Sequence, residues 1–480
     1  MSIDVISTRP TVELGSNSIE FEELWDTDLR STDPLGFPGY NPPAPDEESV
    51  RTGLVRVGHV EAACIEASFS RWAGTMGTVA GERIVRAYER AIDRGLPVVQ
   101  IVSSGGARLQ EGMFSLIQMA RVASVIDRHR VAGLLTAAIL RSPTTGGVYA
   151  SWASLSDIRA AERSAVLGFG GPRVVEQVTG KLPGAASHSA EAAFQHGLVD
   201  AVIDPDDGLP WLLAVLGVES GGPLHVPSDR ARRPDSTSLP AHAWDVVTRC
   251  RSADRPSGLE WAGWLAESWV ELRGPDPAVR AGFAIIGGHR TVVIAMDRHA
   301  RNVGQTLPGP EAFRLAQRAI ELAGRLSLPV VTIVDTPGAD PGPESETGGI
   351  AAEIARTLLA LAGLPTVSVC LVVGEGGSGG AMALAHTDSL LMLEGSIFSV
   401  ISPESGAAVL YRDRFLAPNI AVDFQMTAPQ LVAAGIADRV LREDLEEVSE
   451  SVARALSQTE SGARNRRTDA VTASALGAHR

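Results

Sequence analysis

The sequence contains itself twice. Residues 82–107 read ERIVRAYERAIDRGLPVVQIVSSGGA, and residues 311–339 read EAFRLAQRAIELAGRLSLPVVTIVDTPGA. In both, an amphipathic helical pattern runs into a Leu-Pro turn, and an apolar β-branched run then opens into a loop of small residues. Anchoring the copies at Pro97 and Pro329 brings further features into step. About fifty residues further on, each half has an apolar strand that ends in a glycine pair. The first is LLTAAILRSPTTGGV, with Gly146 and Gly147; the second is SVCLVVGEGGSGGA, with Gly379 and Gly380. Closing segments follow in both halves, GLVDAVI from Gly197 and GIADRVL from Gly435. Three coincidences in register mark a duplicated αβ unit, and the alternation of strands and helices makes each half a layered α/β domain.

A chain of 480 residues has room for two such cores, since single cores rarely grow past about 300 residues. Residues 46–204 form the first half and residues 261–456 the second. Residues 1–45, with the run DPLGFPGYNPPAPDEE, read as an irregular Pro-rich lead-in. Between the halves, residues 205–260 read as a crossover whose stretch PSDRARRPDSTSLP (227–240) has linker composition. The polar tail, 457–480, is expected to lack order.

The composition narrows the function classes. A net charge of −15 opposes general attraction to nucleic acid or to an anionic membrane, so an anionic ligand needs a local cluster of arginines. Cys64, Cys250 and Cys370 are far apart and form no CxxC pair. They indicate neither a disulfide framework nor a cysteine-ligated zinc, and they fit a reducing, cytoplasmic setting. No stretch is long and apolar enough to span a bilayer, and the first twenty or so residues are acidic rather than signal-like. His225 and His242 flank the linker, while His289 and His299 lie too far apart for helical ligand spacing, so no metal site is expected.

The glycine pairs carry the chemistry. A pair placed after a strand and before a helix offers unobstructed backbone N–H groups at a positive helix terminus. That suits an oxygen that becomes negative during a reaction. Such glycines can also simply let a helix pack close to a sheet; two pairs at matching places favour the oxyanion reading. Residues 376–380 formally match the G-x-S-x-G nucleophile elbow around Ser378. A hydrolase needs an acid and then a histidine downstream, however, and only His386 and His479 follow. No G-K-[ST] follows a glycine run, and no G-x-G-x-x-G follows a first strand, which removes the Walker and Rossmann readings.

Longer stretches resemble a known family. Residues 76–122, MGTVAGERIVRAYERAIDRGLPVVQIVSSGGARLQEGMFSLIQMARV, and residues 142–183 resemble the β subunit of bacterial acetyl-CoA carboxylase carboxyltransferase. Residues 334–358, VDTPGADPGPESETGGIAAEIARTL, and residues 374–411 are similar to its α subunit. The chain thus resembles a β–α fusion of the actinobacterial type. The resemblance implies two tandem crotonase-like (ClpP/crotonase superfamily) domains, each a ββα superhelix. It implies transfer of a carboxyl group from N1′ of carboxybiotin to the α-carbon of acetyl-CoA or propionyl-CoA, giving malonyl-CoA or methylmalonyl-CoA. Biotin would ride on a separate carrier protein served by a biotin carboxylase. The thioester would bind the β-like half and biotin the α-like half, with active sites between halves of different subunits in a homodimer or higher homo-oligomer.

Carried over by position, Gly146 and Gly147 would hold the thioester oxygen, and Gly379 and Gly380 the biotin ureido oxygen. Gly105, Gly106, Ala107 and Arg108 would border the CoA thioester, and Pro337, Gly338 and Ala339 would be their counterpart on the biotin side. The released biotin anion can take the α-proton, which explains loops without a convincing protein base. No metal is implied. The separate β subunit begins with a four-cysteine zinc ribbon, whereas no cysteine precedes Cys64 here. Arg83, Arg86 and Arg173 are candidates for the CoA phosphates or ordinary surface arginines. Glu375 and Glu404 fit a role in bracing the loops through backbone N–H groups better than a catalytic one. Competing readings are a malonyl-thioester decarboxylase, a specialised-metabolism relative and a non-catalytic scaffold subunit.

Overall fold

The computed structural model describes residues 9–184, 186–226, 242–300 and 307–476. The chain divides into two compact units, Met1–Gly221 and Gly222–Arg480. In the first, an antiparallel entry is formed by β1 (Thr11–Leu14), β2 (Asn17–Trp25), β3 (Val50–Val57) and β4 (Val60–Ala67). The chain then crosses through α1 (Thr78–Arg94) into β5 (Val98–Ser104), and through α2 (Gly112–Val131) into β6 (Thr136–Thr145). After α3 (Gly146–Val148) come β7 (Ile158–Glu162), β8 (Leu167–Gly168), α4 (Pro172–Thr179), α5 (Ala190–Gln195), β9 (Ala201–Ile203) and α6 (Gly208–Val215). Among the described residues the strands form one sheet in the order β1-β2-β3-β4-β5-β6-β7-β9, with β8 paired to β6 and every pair from β4 onward parallel.

The second unit repeats the plan. Helices α7 (Ala243–Cys250) and α8 (Gly258–Leu265) lead into β10 (Ser268–Leu272), β11 (Val279–Ile286) and β12 (His289–Met296). Then come α9 (Pro310–Arg325), β13 (Val330–Thr336), α10 (Pro343–Thr347), α11 (Ile350–Ala362), β14 (Ser368–Gly377), α12 (Ser378–Ala385), β15 (Ser389–Leu393) and β16 (Ile397–Ser399). Helices α13 (Pro403–Tyr411), α14 (Ala417–Asp423) and α15 (Ala428–Ala433) precede β17 (Arg439–Leu441), and α16 (Leu445–Gln458) and α17 (Ala463–Ala475) close the chain. The sheet order is β10-β11-β12-β13-β14-β15-β17, with β16 paired to β14.

The local causes match in both copies. The runs VVQIVSS and VVTIVDT are buried at every position, as strands covered on both faces must be. Helix α1 turns Ala80, Ile84, Ala87, Tyr88 and Ala91 inward at 3.6-residue spacing, and α9 does the same with Ala312, Phe313, Ala316, Ala319, Ile320 and Ala323. Each central strand sits beside the next in one register: Val98 opposes Thr136, and Val330 opposes Ser368.

Three expectations need correction. The lead-in is not wholly irregular: Val12, Leu14, Ile19 and Phe21 alternate with exposed residues and form the hairpin β1–β2 at the sheet edge. The crossover is shorter than residues 205–260. Helix α6 buries Leu212 and Val215 in the first unit, α7 and α8 belong to the second, and residues 227–241 lie outside the described residues. The tail is not without order up to residue 476: α17 is held by Arg464, which is buried and paired with Asp388 at 2.7 Å. Composition missed this helix because its anchor is a charge pair and not an apolar stripe. Residues 477–480 lie outside the described residues. No helix among the described residues is long and apolar enough to cross a membrane.

Candidate active site

In each unit, two neighbouring parallel strands release the chain into loops that meet. In the first, β5 leads into residues 105–108 and β6 into Gly146 and Gly147, and the two strand ends are paired Ser104 to Thr144. A Cβ at Gly106 would lie 3.1 Å from Gly146 Cα and 3.3 Å from Gly147 N. The loops therefore touch backbone to backbone, and a side chain here would part them. In the second unit, β13 leads into Pro337, Gly338 and Ala339, and β14 into α12, with Thr336 paired to Gly376. A Cβ at Gly380 would lie only 2.5 Å from Ala339 N.

Accounting for each loop amide shows which are available. Gly105 N–H donates to the Ala73 carbonyl (2.9 Å), Gly106 N–H to Ser104 Oγ (3.0 Å) and Arg108 N–H to the Met76 carbonyl (3.0 Å). Gly146 N–H donates to the Phe169 carbonyl at 3.0 Å. Among the described residues, the amides of Ala107 and Gly147 have no acceptor. They are close neighbours, since a Cβ on Gly147 would sit 3.7 Å from Ala107 Cβ. In the second unit, Gly338 N–H is engaged by Thr336 Oγ1 (3.2 Å) and Asp340 N–H by the Pro308 carbonyl (3.0 Å). The amides of Ala339, Gly379 and Gly380 have no acceptor among the described residues. Those of Gly379 and Gly380 stand in the first turn of α12, where N–H groups have no intrahelical partner.

This corrects the expected donors. Gly146 is not available, because its N–H is engaged. The two glycine pairs are also not equivalent: the strand register carries Gly146 onto Ser378 and Gly147 onto Gly379. Gly146 has φ +62° and Ser378 φ +55°, so the serine occupies the left-handed position that glycine fills in the other copy. The signal was present in the sequence, since anchoring at Pro97 and Pro329 gives the same pairing. Ser378 thus has the strained backbone of a nucleophile elbow, but His386 caps the far end of α12, about 12 Å along the axis. Both turns are backed by one apolar side chain. A Cβ at Gly147 would lie 3.0 Å from Met119 Sδ, and one at Gly379 3.8 Å from Ile354 Cγ2.

The arginines expected to meet a ligand are mostly braces. Arg108 is 1% exposed, and its guanidinium donates to Glu48, Glu111, Ser49 and Thr75. Arg83 is buried and donates to the carbonyls of Asp26 (3.0 Å), Val50 (2.8 Å) and Pro45 (2.8 Å). Arg86 pairs with Glu82 (2.7 Å) and Asp26 (3.0 Å). The Arg108 and Arg83 side chains are buried among partners within the protein, which corrects the expectation that they reach CoA, whereas the Arg86 side chain is 42% exposed and its candidacy stands. Arg173 stands exposed on α4.

In the second unit, Arg251 bridges Glu375 (2.7 Å) and Glu404 (2.6 Å). Those two carboxylates do brace the turn, through an arginine and not through backbone amides. For Glu404, burial favours the neutral acid, but the Arg251 guanidinium outweighs it and holds the carboxyl below the usual range. Arg255 donates to Asp335 Oδ1 (2.6 Å) and to the Cys250, Pro256 and Val373 carbonyls, tying β13 to β14 just before their loops. Arg251 and Arg255 come from the stretch read as a crossover, and no motif announced them. Two cavities of this unit, about 320 and 240 Å³, are lined by other residues; at the turn itself Ser378 and Gly379 are exposed and Gly380 is buried. No group of three or more His, Cys, Asp or Glu among the described residues could hold a metal ion.

Known proteins are similar to this chain in sequence and in fold. Residues 233–474 match the family model described as acetyl co-enzyme A carboxylase carboxyltransferase-like. Over 467 residues the chain is 37% identical to the acetyl-coenzyme A carboxylase carboxyl transferase subunits beta/alpha of Parafrankia sp. (strain EAN1pec), spanning 88% of this chain and 76% of that protein. It is 36% identical over 404 residues to the "Probable biotin-dependent acyl-coenzyme A carboxylase beta3 subunit" of Mycobacterium tuberculosis (strain CDC 1551 / Oshkosh), spanning 83% of this chain and 80% of that protein. Among solved structures, a transcarboxylase 12S hexamer with methylmalonyl-coenzyme A and methylmalonic acid bound is similar at TM-score 0.73 and 21% identity, covering 88% of this chain and 84% of that one. The shared fold is the crotonase-like one that the resemblance to the carboxyltransferase family implied.

Proposed function

Because the chain belongs to the acetyl-CoA carboxylase carboxyltransferase family, whose enzymes transfer carboxyl groups with acyl-CoA substrates, we propose that it carboxylates the α-carbon of acetyl-CoA or propionyl-CoA. The observation that carries this reading is the group of neighbouring, acceptor-free amides in each of two related units, two in the first and three in the second. Ala107 and Gly147 would hold the thioester oxygen as the α-carbon loses its proton and the oxygen takes up charge. Ala339 with Gly379 and Gly380 would hold the ureido oxygen of biotin. The fit is supported by the space at Gly380, where only a residue without a Cβ leaves the Ala339 amide in place. Carboxybiotin, when bound, supplies the carboxyl group and the basic nitrogen.

The protein's part is positioning and preorganised dipoles. The amides are fixed before the substrate arrives, so they need not reorganise as charge develops. The carboxylates that brace these loops, Glu48, Glu111, Asp335 and Glu375, each face an arginine and so act as struts, not bases. Its partners would be a biotin carboxyl carrier protein with its biotin carboxylase, and further copies of this chain in a cytoplasmic homo-oligomer.

The test is an assay with carboxylated carrier protein and each acyl-CoA, following malonyl-CoA or methylmalonyl-CoA. Product that depends on the carboxylated carrier supports the reading. Malonyl-CoA loss at full rate without any carrier would replace it with a decarboxylase.

A further inference from the structure

The residues that hold the Ala107 amide in place are themselves held from outside the repeat. Three consecutive residues, Trp72, Ala73 and Gly74, have left-handed φ values of +47°, +51° and +63°. Tryptophan and alanine rarely adopt this conformation, so surrounding contacts must impose it. The turn aims two carbonyls at the donor loop: Ala73 O accepts from Gly105 N–H (2.9 Å), and Gly74 O from Ser104 Oγ (2.6 Å). Next to it, Met76 pairs with the loop on both sides of Ala107, through the Gly106 carbonyl (2.9 Å) and the Arg108 N–H (3.0 Å). Ala107 is therefore suspended between fixed neighbours with its own N–H free.

What imposes the strained turn lies in the irregular segment before β3. The Tyr40 ring packs edge-on against Trp72, with centroids 5.8 Å apart, and the Arg108 guanidinium lies over the same indole ring at 5.6 Å. Tyr40 Oη donates to Glu111 Oε1 (2.8 Å), while Glu111 Oε2 accepts from Thr78 N–H (2.6 Å) and Thr78 Oγ1 (2.7 Å). Glu48 takes the other side of Arg108, and Ser49 Oγ donates to the Thr75 carbonyl (2.7 Å). The network passes directly over Gly77, where a Cβ would lie 2.6 Å from Glu111 Oε1 and 2.9 Å from Arg108 Nη1. Arg108 and Glu111 are both buried, so every donor and acceptor here must be matched inside the protein.

We infer that Tyr40 and Glu48 are positioning residues for carboxyl transfer: they clamp Trp72 and Arg108, and so set where the Ala107 N–H points relative to Gly147. The inference rests on the oxyanion role proposed above, and it adds that the segment before β3 is part of the catalytic apparatus. A donor displaced by about 1 Å can lose on the order of a hundredfold in rate without loss of binding. The clamp therefore acts on kcat.

The test uses the full-length protein with Tyr40→Phe, which keeps the ring against Trp72 and removes only the hydroxyl, and Glu48→Gln as a second variant. Expected for both are a fall in kcat of roughly 10- to 100-fold, a KM for acyl-CoA within about twofold of wild type, and faster amide exchange confined to the peptide spanning residues 104–112. For Tyr40→Phe the melting temperature stays within a few degrees. An unchanged kcat in a folded variant, or a raised KM at unchanged kcat, overturns the inference. The exchange measurement needs no activity. If wild type proves not to transfer carboxyl groups while residues 104–112 still loosen in both variants, the functional reading fails and the clamp survives as a structural device; unchanged exchange removes the clamp itself.

Discussion

At the scale of single residues, what matters is which N–H groups remain unpaired, and this turns on contacts of a few tenths of an ångström. Gly380 tolerates no side chain, because a Cβ would press on Ala339 N at 2.5 Å. Gly380→Val is predicted to lower kcat by at least about 100-fold in steady-state kinetics, on the scale of losing one oxyanion donor. Gly147→Ala should cost less, roughly tenfold, because the atom in its way is the Sδ of Met119, a flexible chain that can yield. Equal effects of the two substitutions would argue against unequal crowding. Glu111 supplies a pH signature. Burial favours its neutral form, but bonds from Thr78 and Tyr40 and the Arg108 charge outweigh that, and its pKa falls below the ordinary 4.5. A depressed carboxyl stabilises the fold above its unfolded pKa and loses that contribution as pH falls through the folded value. Amide protection of residues 104–112 is predicted to drop as pH falls below about 4.5, and Glu111→Gln should flatten that response.

Among elements, the strands, loops and helices that form each turn were legible from pattern alone. Both copies of the helix, the Leu-Pro turn, the buried strand and the small-residue loop appear where the periodicity puts them. Elements defined by charge and not by apolar spacing were missed. Helix α17 buries no apolar stripe; it docks through Arg464, whose guanidinium meets Asp388 Oδ2 (2.7 Å) and the Ala362 carbonyl (3.2 Å). Asp388 in turn accepts from Ser368 N–H (2.9 Å) at the start of β14. Arg464→Met would strand a buried carboxylate, and a loss of about 3–5 kcal/mol is predicted from urea unfolding. A loss under about 1 kcal/mol would show that water reaches the site. The hairpin β1–β2 escaped notice for a different reason: it is short, and its alternation is interrupted by the Gly15 turn.

For the whole molecule, duplication yields two units that each own a sheet and a core. Each unit is predicted to fold by itself: residues 222–480, produced alone, should melt in one cooperative transition with native-like circular dichroism, and broad, non-cooperative melting would refute this. The sequence by itself determined the repeat, the order of strands and helices within it, and the two glycine-bearing turns, because these follow from periodicity and backbone freedom over a few neighbouring residues. Tertiary structure alone decided that Gly146 is engaged while Gly147 is free, and that Tyr40, Glu48, Arg251 and Arg255 brace the loops. Whether a given amide is free, or a given arginine is available to a ligand, depends on partners up to a hundred or more residues away, and no local pattern encodes such partners.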